Sequence, residues 1–413
     1  MPASELKERS SWKEVPISSI GTVVGGGTPP TSHSEYYDGD IAWITPKDLS
    51  GVHERYISRG ERNITQLGYD NSSARMLPAG TVLFSSRAPI GYVAIAKNEL
   101  CTNQGFKSVV PKPGVCDTNF LYYLLTYYKN DIEAIASGTT FMEVSGTALK
   151  NFVVRIPDLP TQEKIATILS SLDDKIEVNY QINRNLEEQA KAIFKSWFVD
   201  FEPFGGEQPD DWKDGTIADL GRVTGGGTPS KAKEEYYSQN GIPWITPKDL
   251  SINKSKFISR GQIDISDAGL SNSSAVIMPK GTVLFSSRAP IGYIAIAKNE
   301  VTTNQGFKSV VPHPNVGTPF VYLFLKYNLE KIESVASGST FKEVSGGVMR
   351  SIPALIPDNK SLSTFTEQCQ PLFQKQENLE EENNVLQATR DTLLPKLMSG
   401  EIDLSFCNKE QNK

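Results

Sequence analysis

The sequence predicts an α+β protein in which two similar mixed α/β domains alternate with two long helices. The first observation is an internal repeat: residues 78–111 and 279–312 are identical at 30 of 34 positions, at an offset of 201. The second is that each copy contains short β-branched segments between clusters of Gly, Pro and Ser. The third is that a heptad pattern follows each copy. A repeat this long exceeds the period of solenoid proteins and indicates two copies of one domain.

The repeat runs through the whole chain. Its matched motifs are Trp12 with Trp212, GGGTP at 25–29 and 225–229, ITPKDLS at 44–50 and 245–251, and IPD at 156–158 and 356–358. A chain of 413 residues can hold two or three domains with their own cores. We predict a first domain at 1–160, a central helix at 161–204, a second domain at 205–360, and a distal helix with a tail at 361–413.

Each domain is predicted to contain strands joined by turns and one amphipathic helix. Residues 81–84, 92–96 and 108–110 are rich in β-branched and aromatic residues and are bounded by turn residues, which is typical of strands. Residues 120–135 and 320–335 carry apolar side chains at helical spacing, so one helix is expected in each range.

A heptad pattern predicts that the two helical segments form a coiled coil. From Ile165 and from Phe365, positions that advance alternately by four and three residues carry mostly apolar side chains, in the same phase in both segments. The pattern lasts for about five heptads, which favours a coiled coil over the alternative that each helix only covers its own domain. Thr364 and Glu367 fit a capping box at the start of the distal helix.

Asn183 and Asn383 occupy equivalent positions near the middle of the two heptad patterns. If the helices pack antiparallel about a pseudo-two-fold axis, these amides fall near the crossing point. A buried polar pair at such a point fixes the register of a coiled coil at a cost in stability. We therefore predict that Asn183 and Asn383 specify the register.

Composition and charge exclude several classes of protein. No apolar run is long enough to span a bilayer and the first residues lack a signal peptide, so no membrane partner is expected. The four cysteines have no paired spacing, which favours a reduced, cytoplasmic protein; with three histidines they predict no metal site. The net charge is −6, of which the helical segments carry −7 and the two domains together +1. A basic face on each domain is therefore compatible with nucleic acid.

Catalytic motifs are missing from the sequence. The GGGTP loops lack the Gly-Lys-Ser/Thr of a phosphate-binding loop, so a tight structural loop is favoured over phosphate binding. We find no dinucleotide-binding motif, no nucleophile elbow and no Asn/Asp-Pro-Pro-aromatic motif of an amino-methyltransferase. The sequence therefore predicts a protein that is not an enzyme and that binds no cofactor itself.

A polar set that is present twice is the candidate for recognition. Its members are Thr45, Lys47, Ser86, Arg87, Asn103, Gln104 and Lys107 in the first copy, and Thr246, Lys248, Ser287, Arg288, Asn304, Gln305 and Lys308 in the second. Arg pairs with guanine and Asn or Gln with adenine in the major groove, whereas Lys and Ser commonly hold phosphates. We predict DNA contacts from this set. The alternative, that these residues shape the loops, stays open for each of them.

These motifs resemble a known family. GGGTPP, WITPKDLS, SSRAPIGY and TNQGFKSVVP, with their second copies, are similar to the target recognition domains of type I restriction-modification specificity subunits. Residues 194–203 and 393–404 are similar to that family's central and distal helical regions. The resemblance implies a non-catalytic subunit whose two recognition domains each read one half of a bipartite sequence in double-stranded DNA. It also implies two long antiparallel helices that separate the domains and dock two methyltransferase subunits.

The resemblance implies further partners and a cofactor outside this chain. S-adenosylmethionine is expected in the methyltransferase subunits, and translocating restriction subunits are expected to complete the nuclease. A stand-alone DNA-binding regulator or adaptor with the same architecture is the alternative. A helix of about 35 residues spans roughly 50 Å, about one and a half turns of duplex. That length allows two domains to reach successive major grooves.

The near-identity of the two domains departs from the usual pattern of the family, in which paired recognition domains are commonly dissimilar. Two like domains related by a pseudo-two-fold axis are expected to read like half-sites in opposite orientation. We therefore predict an interrupted target that is palindromic or nearly palindromic. The copies diverge most in residues 50–76 and 251–277, so any asymmetry of the target is expected to arise there.

Overall fold

The structure is a computed structural model that describes residues 12–51, 54–87, 89–138, 142–338, 342–402 and residue 404. Two compact units divide the chain: unit 1 comprises Met1–Val178 and Asn383–Lys413, and unit 2 comprises Asn179–Glu382. We call residues 12–158 domain 1 and residues 212–358 domain 2. Each unit therefore contains one domain and a segment of each long helix.

Domain 1 is built on a mixed five-stranded sheet. The strands of the whole domain are β1 (Lys13–Pro16), β2 (Gly21–Gly25), β3 (Tyr37–Ile41), β4 (Trp43–Ile44), β5 (Tyr56–Ile57), β6 (Val82–Phe84), β7 (Val93–Ala96), β8 (Cys101–Thr102), β9 (Lys107–Pro111) and β10 (Val153–Ile156). The main sheet has the order β2-β9-β6-β7-β5, in which β5 and β7 are parallel and the other neighbours antiparallel. Antiparallel β1 and β10 and parallel β4 and β8 form two further pairs. The three strands predicted from the sequence are β6, β7 and β9.

The strand β6 shows why this sheet is buried on both faces. Val82 and Phe84 lie in the core cluster that includes Phe120, whereas Leu83 lies in a second cluster with Phe106. Successive side chains of a strand point to opposite faces, so a continuous apolar strand needs cover on both sides.

Short helices cover the sheet of domain 1. They are α1 (Ile17–Ile20), α2 (Gln66–Asp70), α3 (Thr118–Tyr127), α4 (Lys129–Ala134) and α5 (Gly146–Asn151), with 3-10 turns at Ser34–Tyr36 and Pro46–Leu49. The prediction of one helix over 120–135 is wrong, because Tyr128 leaves helical geometry at φ −84° and ψ 8°. Its ring packs edge-on against Phe152 and its hydroxyl accepts a hydrogen bond from the Arg155 N–H at 3.4 Å. This packing turns the chain between α3 and α4.

The central helix α6 (Leu159–Phe198) and a 3-10 turn (Glu202–Phe204) lead into domain 2. The strands of domain 2 are β11 (Lys213–Thr216), β12 (Gly221–Gly225), β13 (Tyr237–Ser238), β14 (Ile242–Ile245), β15 (Phe257–Ile258), β16 (Ile263–Ile265), β17 (Val283–Ser287), β18 (Ile291–Ala297), β19 (Thr302–Thr303), β20 (Lys308–Pro312) and β21 (Pro353–Ile356). Its main sheet, β12-β20-β17-β18-β15, repeats the order found in domain 1.

The helices of domain 2 match those of domain 1, except that an α-helix at Pro247–Ile252 takes the place of the 3-10 turn at Pro46–Leu49. They are α7 (Ile217–Leu220), α8 (Pro247–Ile252), α9 (Asp267–Ser271), α10 (Thr318–Tyr327), α11 (Leu329–Ser334) and α12 (Gly346–Ser351), with a 3-10 turn at Glu234–Tyr236. The single helix predicted over 320–335 is also two helices. Asn328 ends the first because its side-chain amide donates to the carbonyl of Phe324 at 2.9 Å. An Asn that satisfies a terminal carbonyl is a common helix stop.

A four-stranded sheet, β13-β16-β14-β19, distinguishes domain 2 from domain 1. Its β16 pairs with both β13 and β14. At the equivalent place in domain 1, Ile64 makes isolated bridges to Tyr37 and Ile41. The divergent segment of the repeat therefore also changes local strand pairing.

Two helices of 40 residues each precede and follow domain 2 in the chain, the central helix and the distal helix α13 (Asn359–Met398). The predicted capping box at Thr364 is wrong, because the distal helix begins five residues earlier. Asp358 caps it instead, accepting from the N–H groups of Lys360 at 2.8 Å and Ser361 at 3.0 Å. Asp158 caps the central helix in the same way, accepting from the Thr161 N–H at 3.1 Å. A carboxylate at this position satisfies amides that have no partner within the helix.

The predicted heptad positions are confirmed as the covered face of both helices. From 165 to 197 and from 365 to 397, each of these positions is buried or half-buried. The helix segments run antiparallel within each unit. In unit 1 Arg390 contacts Asp173 and Asn383 contacts Ile176. In unit 2 Gln376 contacts Glu187 and Phe365 packs against Phe194, so residue numbers rise on one helix as they fall on the other.

Each of the two predicted register asparagines lies in a different unit. Asn383 is 2% exposed, and its amide donates to the carbonyl of Ile176 at 3.4 Å. The carbonyl of Asn183 accepts from the Gln376 amide at 3.1 Å. Asn383 thus contacts the residue seven positions before Asn183, and Asn183 contacts the residue seven positions before Asn383. That these two residues specify the register stays a prediction.

Candidate nucleic-acid interface

Two cations share one carboxylate on the surface of domain 1. Lys107, the first residue of β9, donates from Nζ to Glu143 Oε1 at 2.8 Å. Arg87, which follows β6, places Nη1 3.8 Å from Glu143 Oε2. Glu143 is held there by backbone hydrogen bonds to Ser137 in both directions, each 3.0 Å long. Two positive charges against one negative charge leave this cluster with a net charge of +1.

The same cluster recurs in domain 2. Lys308 donates to Glu343 Oε1 at 3.1 Å, and Arg288 donates to Glu343 Oε2 at 3.4 Å. The two arginines are about one third exposed, and so are the two glutamates. We call the residues Arg87, Lys107 and Glu143, and their counterparts Arg288, Lys308 and Glu343, the cation clusters. Partly exposed cations of this kind can hold a phosphate or a base edge.

The predicted amide residues lie beside the cation clusters and have two different roles. Asn103 closes its own loop, because its side-chain oxygen accepts from the Gly105 N–H at 2.9 Å, and Asn304 does the same for Gly306. Gln104 and Gln305 are exposed, and their oxygens accept from the hydroxyls of Thr28 and Thr228. The asparagines therefore shape the loop, and the glutamines are presented to solvent.

The GGGTP loop packs tightly against the rest of domain 1, as expected of a structural loop. A Cβ on Gly26 would lie 2.0 Å from the carbonyl oxygen of Asn103, and one on Gly27 would lie 2.3 Å from the backbone of Ala74. The Trp43 indole also donates to the Gly27 carbonyl at 3.0 Å. Backbone approach this close requires glycine. The loop therefore packs against the segment that precedes Gln104, and its own Thr28 hydroxyl donates to the Gln104 side chain.

Ser86 and Ser287 do not reach the surface. Both are fully buried, and their hydroxyls donate to the carbonyls of Gly105 and Gly306 at 3.1 Å. Their own backbone groups are also bonded, since Ser86 N–H donates to Gly105 at 2.7 Å. The prediction that Ser86 and Ser287 contact DNA is therefore wrong, because a buried hydroxyl cannot bind a phosphate.

Thr45 and Thr246 cap short helices. The hydroxyl of Thr45 donates to Asp48 at 2.7 Å, and that of Thr246 donates to Asp249 at 2.6 Å. A threonine engaged in a capping box is a structural residue, so these two positions also favour the loop-shaping alternative.

The lysines that follow these threonines are exposed. Lys47 pairs with Glu61 at 2.7 Å on the surface, and the side-chain pairing raises the pKa of Lys47. In domain 2 the residue in place of Glu61 is Gln262, so Lys248 lacks an acid at that position. Both lysines remain available to a phosphate.

Glu143 and Glu343 are the site residues that sequence reasoning missed. They are part of the repeat, in the motifs EVSG at 143–146 and 343–346, so a doubled acidic residue was the available signal. Spacing could not link Glu143 to Lys107, because 36 residues separate them and only the fold brings them together.

Residues 50–76, which differ most from their counterparts 251–277, include both exposed and buried positions. Among the exposed positions, Arg62 and Arg75 are replaced in domain 2 by Ile263 and Val276, which are 47% and 41% exposed. The guanidinium of Arg62 lies over the Tyr37 ring at 3.8 Å. These exposed differences are where the two domains can differ in what they contact.

Neither a metal site nor a membrane-spanning helix is found among the described residues. Among them, no group of three or more His, Cys, Asp or Glu side chains is arranged to hold a metal ion. No helix within the same residues has the length and hydropathy to cross a membrane.

A family model described as the type I restriction modification DNA specificity domain matches residues 9–188 and 209–386. The type I restriction enzyme MjaIX specificity subunit of Methanocaldococcus jannaschii is 36% identical over 420 residues, which cover 95% of this chain and 93% of that protein. The HindI specificity subunit of Haemophilus influenzae is 27% identical over 480 residues, covering 95% of this chain and 100% of that protein.

A solved structure has the same fold. The crystal structure of a type I restriction-modification system S subunit from M. genitalium matches with a TM-score of 0.60 at 20% sequence identity, and the match covers 94% of this chain and 96% of that one. The family model matches both halves of the chain, each half containing one domain with its cation cluster. The chain therefore belongs to the type I restriction-modification specificity subunits, and its two halves are two copies of their DNA specificity domain.

Proposed function

We propose that this chain reads a bipartite DNA sequence, with one half-site bound by each domain, and that the half-sites are alike. The observation that carries this proposal is the doubled cation cluster. Arg, Lys, Glu and the neighbouring Gln recur in both domains with the same contacts, Lys107 and Arg87 on Glu143 and Lys308 and Arg288 on Glu343. Two surfaces with the same donors in the same arrangement recognise the same chemical pattern.

The cation clusters can act on DNA by exchanging partners. In the free chain the carboxylate of Glu143 holds Lys107 and Arg87 in place. A DNA phosphate offers a second anion to the same cations, and the net charge of +1 favours its approach. The Arg87 fork can then pair with a guanine edge, while Gln104 offers an amide to an adjacent base. In this mechanism Glu143 orders the two cations in the free chain and disfavours binding of the domain to an incorrect base.

Half-sites that are alike predict a target that repeats itself. Readers related by a two-fold operation bind a palindrome, as dimeric repressors do. The proposed target is two like half-sites in opposite orientation with an unread spacer between them. The exposed substitutions Arg62 to Ile263 and Arg75 to Val276 are the places where one half-site can depart from the other.

The proposed partners follow from the family. Double-stranded DNA binds the domains, two methyltransferase subunits that carry S-adenosylmethionine dock on the long helices, and restriction subunits that translocate DNA complete the nuclease. The chain itself contributes recognition and no catalysis. The relatives are named as subunits of restriction enzymes, which disfavours a stand-alone regulator. Purification of the chain from its own cells with a co-eluting methyltransferase is the expected result, and elution alone would contradict it.

Mapping methylated adenines in the source genome tests the proposal. We expect one interrupted motif whose two halves are reverse complements at most positions, methylated on both strands. Deletion of the gene for this chain should abolish that methylation. Two unrelated half-sites would contradict the inference from the doubled clusters, and methylation that persists after deletion would contradict the proposed function altogether.

A further inference from the structure

Each unit contains a second polar site, buried between its domain and its helix segments. Arg55 in unit 1 and Lys256 in unit 2 occupy the same position of the repeat, directly before β5 and β15. They are only 5% and 8% exposed, whereas most of the other cations in the described domains are at the surface. A buried cation without partners strongly destabilises a fold, so its contacts are informative.

Arg55 connects domain 1 to both helices. Its Nη1 donates to the Tyr123 hydroxyl at 2.9 Å and its Nη2 to Asp174 of the central helix at 2.5 Å. The Tyr123 hydroxyl in turn donates to Asp173 at 2.5 Å. Asp173 also accepts from Arg390 of the distal helix at 2.7 Å. A continuous chain of charge-assisted hydrogen bonds therefore runs from the sheet edge of domain 1 to both helix segments of unit 1.

Lys256 connects domain 2 to both helices by different contacts. Its ammonium donates to Glu187 of the central helix at 2.9 Å and to Gln376 of the distal helix at 2.8 Å. It also lies 3.2 Å from the centre of the Phe373 ring. The backbone N–H of Lys256 donates to Glu380 at 2.8 Å. Burial lowers the pKa of the Lys256 ammonium to about 8, although the neighbouring Glu187 carboxylate raises it.

The domains are repeated, but the two long helices share few residues at equivalent positions, and the helix partners of these cations are not shared. The residues that face Arg55 are replaced in unit 2, and those that face Lys256 are replaced in unit 1. The replacements are Asp173 by Phe373, Asp174 by Gln374, Arg390 by Ala190, Gln376 by Ile176, Glu187 by Gln387 and Glu380 by Tyr180. Each domain therefore matches its own helix segments and not those of the other unit.

We propose that Arg55 and Lys256 are positioning residues that fix the angle of each domain on its own helix segments, and so fix the number of base pairs between the half-sites. This inference rests on the proposed function. Directional charge-assisted hydrogen bonds restrict orientation more than apolar contacts do. The central helix contributes a segment to each unit, so each domain is held on a shared continuous element.

The main sheet of each domain connects the buried cation, Arg55 or Lys256, to the cation cluster at the surface. Arg55 precedes β5, which pairs with β7; β7 pairs with β6, and β6 ends just before Arg87. In domain 2 the same path runs through β15, β18 and β17 to Arg288. A hydrogen-bonded sheet moves as one body, so a tilt at its edge displaces the DNA-contacting end. One base pair is only about 3.4 Å of duplex, so small tilts change the spacer that fits.

Selection from a random duplex library tests this inference. The full chain, together with the methyltransferase that co-purifies with it, selects duplexes, and sequencing of the bound fraction gives both the half-site motif and the distribution of spacer lengths. For Lys256→Met we expect an unchanged half-site motif. The fraction with a spacer one base pair too long or too short should rise about tenfold, which corresponds to about 1.4 kcal/mol of lost discrimination.

Milder variants keep the test valid if Lys256→Met folds poorly. Glu187→Gln preserves shape and removes the charge that faces Lys256, and it should broaden the spacer distribution in the same direction by a smaller factor. Lys256→Arg and Arg55→Lys retain the cation and should fall between wild type and the Met variant. Lys331→Met, at an exposed position on α11, is the matched control and should leave the distribution unchanged.

The outcomes separate the two proposals. A broadened spacer distribution with an intact motif supports the positioning role. An unchanged distribution in folded Lys256→Met and Glu187→Gln overturns it, and so does a changed half-site motif, which would place Lys256 in base recognition. If the wild-type chain enriches no bipartite motif, the proposed function fails, independently of the positioning role.

Discussion

Each domain has an outer cation site, which is its cation cluster, and an inner cation site, which is Arg55 or Lys256 with its helix partners. The two copies of the domain share the outer site but differ at the inner site. At the surface, Arg87, Lys107 and Glu143 recur unchanged as Arg288, Lys308 and Glu343, with the same contacts. In the interior, Arg55 becomes Lys256 and every helix side chain that faces it changes as well. The surface site is therefore the same in both domains, whereas the buried cation and its helix partners differ between the two units.

The inner site of unit 2 is where we expect the largest effect on stability. Lys256→Met leaves the carboxylate of Glu187 and the amide of Gln376 in a buried site without their cation. Removing one member of a buried ion pair costs about 3 kcal/mol. Urea unfolding, followed by hydrogen exchange in β15 and β18, should show this decrease in stability. Lys331→Met should change the stability by less than about 0.5 kcal/mol, and an equal decrease in both variants would contradict the role of the site.

The inner site of unit 1 can be converted to the pattern of unit 2. Arg390→Ala leaves Asp173 half-enclosed without its cation and should cost about 2 to 3 kcal/mol in free energy of unfolding. The double variant Asp173→Phe, Arg390→Ala copies Phe373 and Ala190, and it should recover at least about 1 kcal/mol of that stability. Chemical denaturation of the wild type, Arg390→Ala, Asp173→Phe and the double variant measures the coupling. Strictly additive effects would show that the two residues do not act as a pair.

The outer sites should affect DNA binding and leave stability nearly unchanged. Lys107→Met with Lys308→Met removes one cation from each cluster, and the slope of log affinity against log salt should fall by about one for each phosphate that is no longer neutralised. Titration of duplex DNA at several salt concentrations measures this slope. Glu143→Gln with Glu343→Gln is the control of opposite sign, because it frees the cations and should tighten binding to non-specific DNA. Unchanged affinity in both double variants would exclude the clusters from the DNA interface.

A smaller effect is expected from the pH dependence of unit 2. Burial raises the pKa of Glu380 to about 7, above the ordinary value of 4.5, despite its hydrogen bonds from the N–H groups of Lys256 and Phe257. A group with a raised pKa in the folded state contributes stability below the unfolded value and loses it as pH rises through the folded value. Unit 2 should therefore lose stability between pH 4.5 and 7. Thermal unfolding of Glu380→Gln should show a flatter dependence, and the same slope as wild type would contradict this assignment.

Much of the fold follows from the sequence, because repeat, turn and heptad signals are local in the chain. The strands β6, β7 and β9 and the covered faces of both long helices lie where the patterns predict them. Helix ends were less predictable. The breaks at Tyr128 and Asn328 depend on the packing of one ring and on one side-chain hydrogen bond. The start of the distal helix depends on Asp358, which competes successfully with the capping box that the sequence suggested at Thr364.

The candidate site was predictable in part for the same reason. The repeat selected Arg87, Lys107 and Gln104 because the residues recur, but it selected Ser86 equally well. Recurrence does not distinguish a residue that contacts a ligand from one that holds a loop, since both are kept when a domain is copied. Burial separates them, and burial depends on neighbours that are distant in sequence.

By itself, the sequence determined that this protein contains two copies of one domain, each followed by a long helix with its apolar positions in the same phase. Periodicity and repetition are properties of the chain order, so no coordinates are needed to detect them. Only the tertiary structure decided which polar residues face solvent and which join the domains to the helices. Glu143 meets Lys107 across 36 residues and Arg390 meets Asp173 across 217. Pairings at such separations depend on how the helices and sheets pack, which no local pattern records.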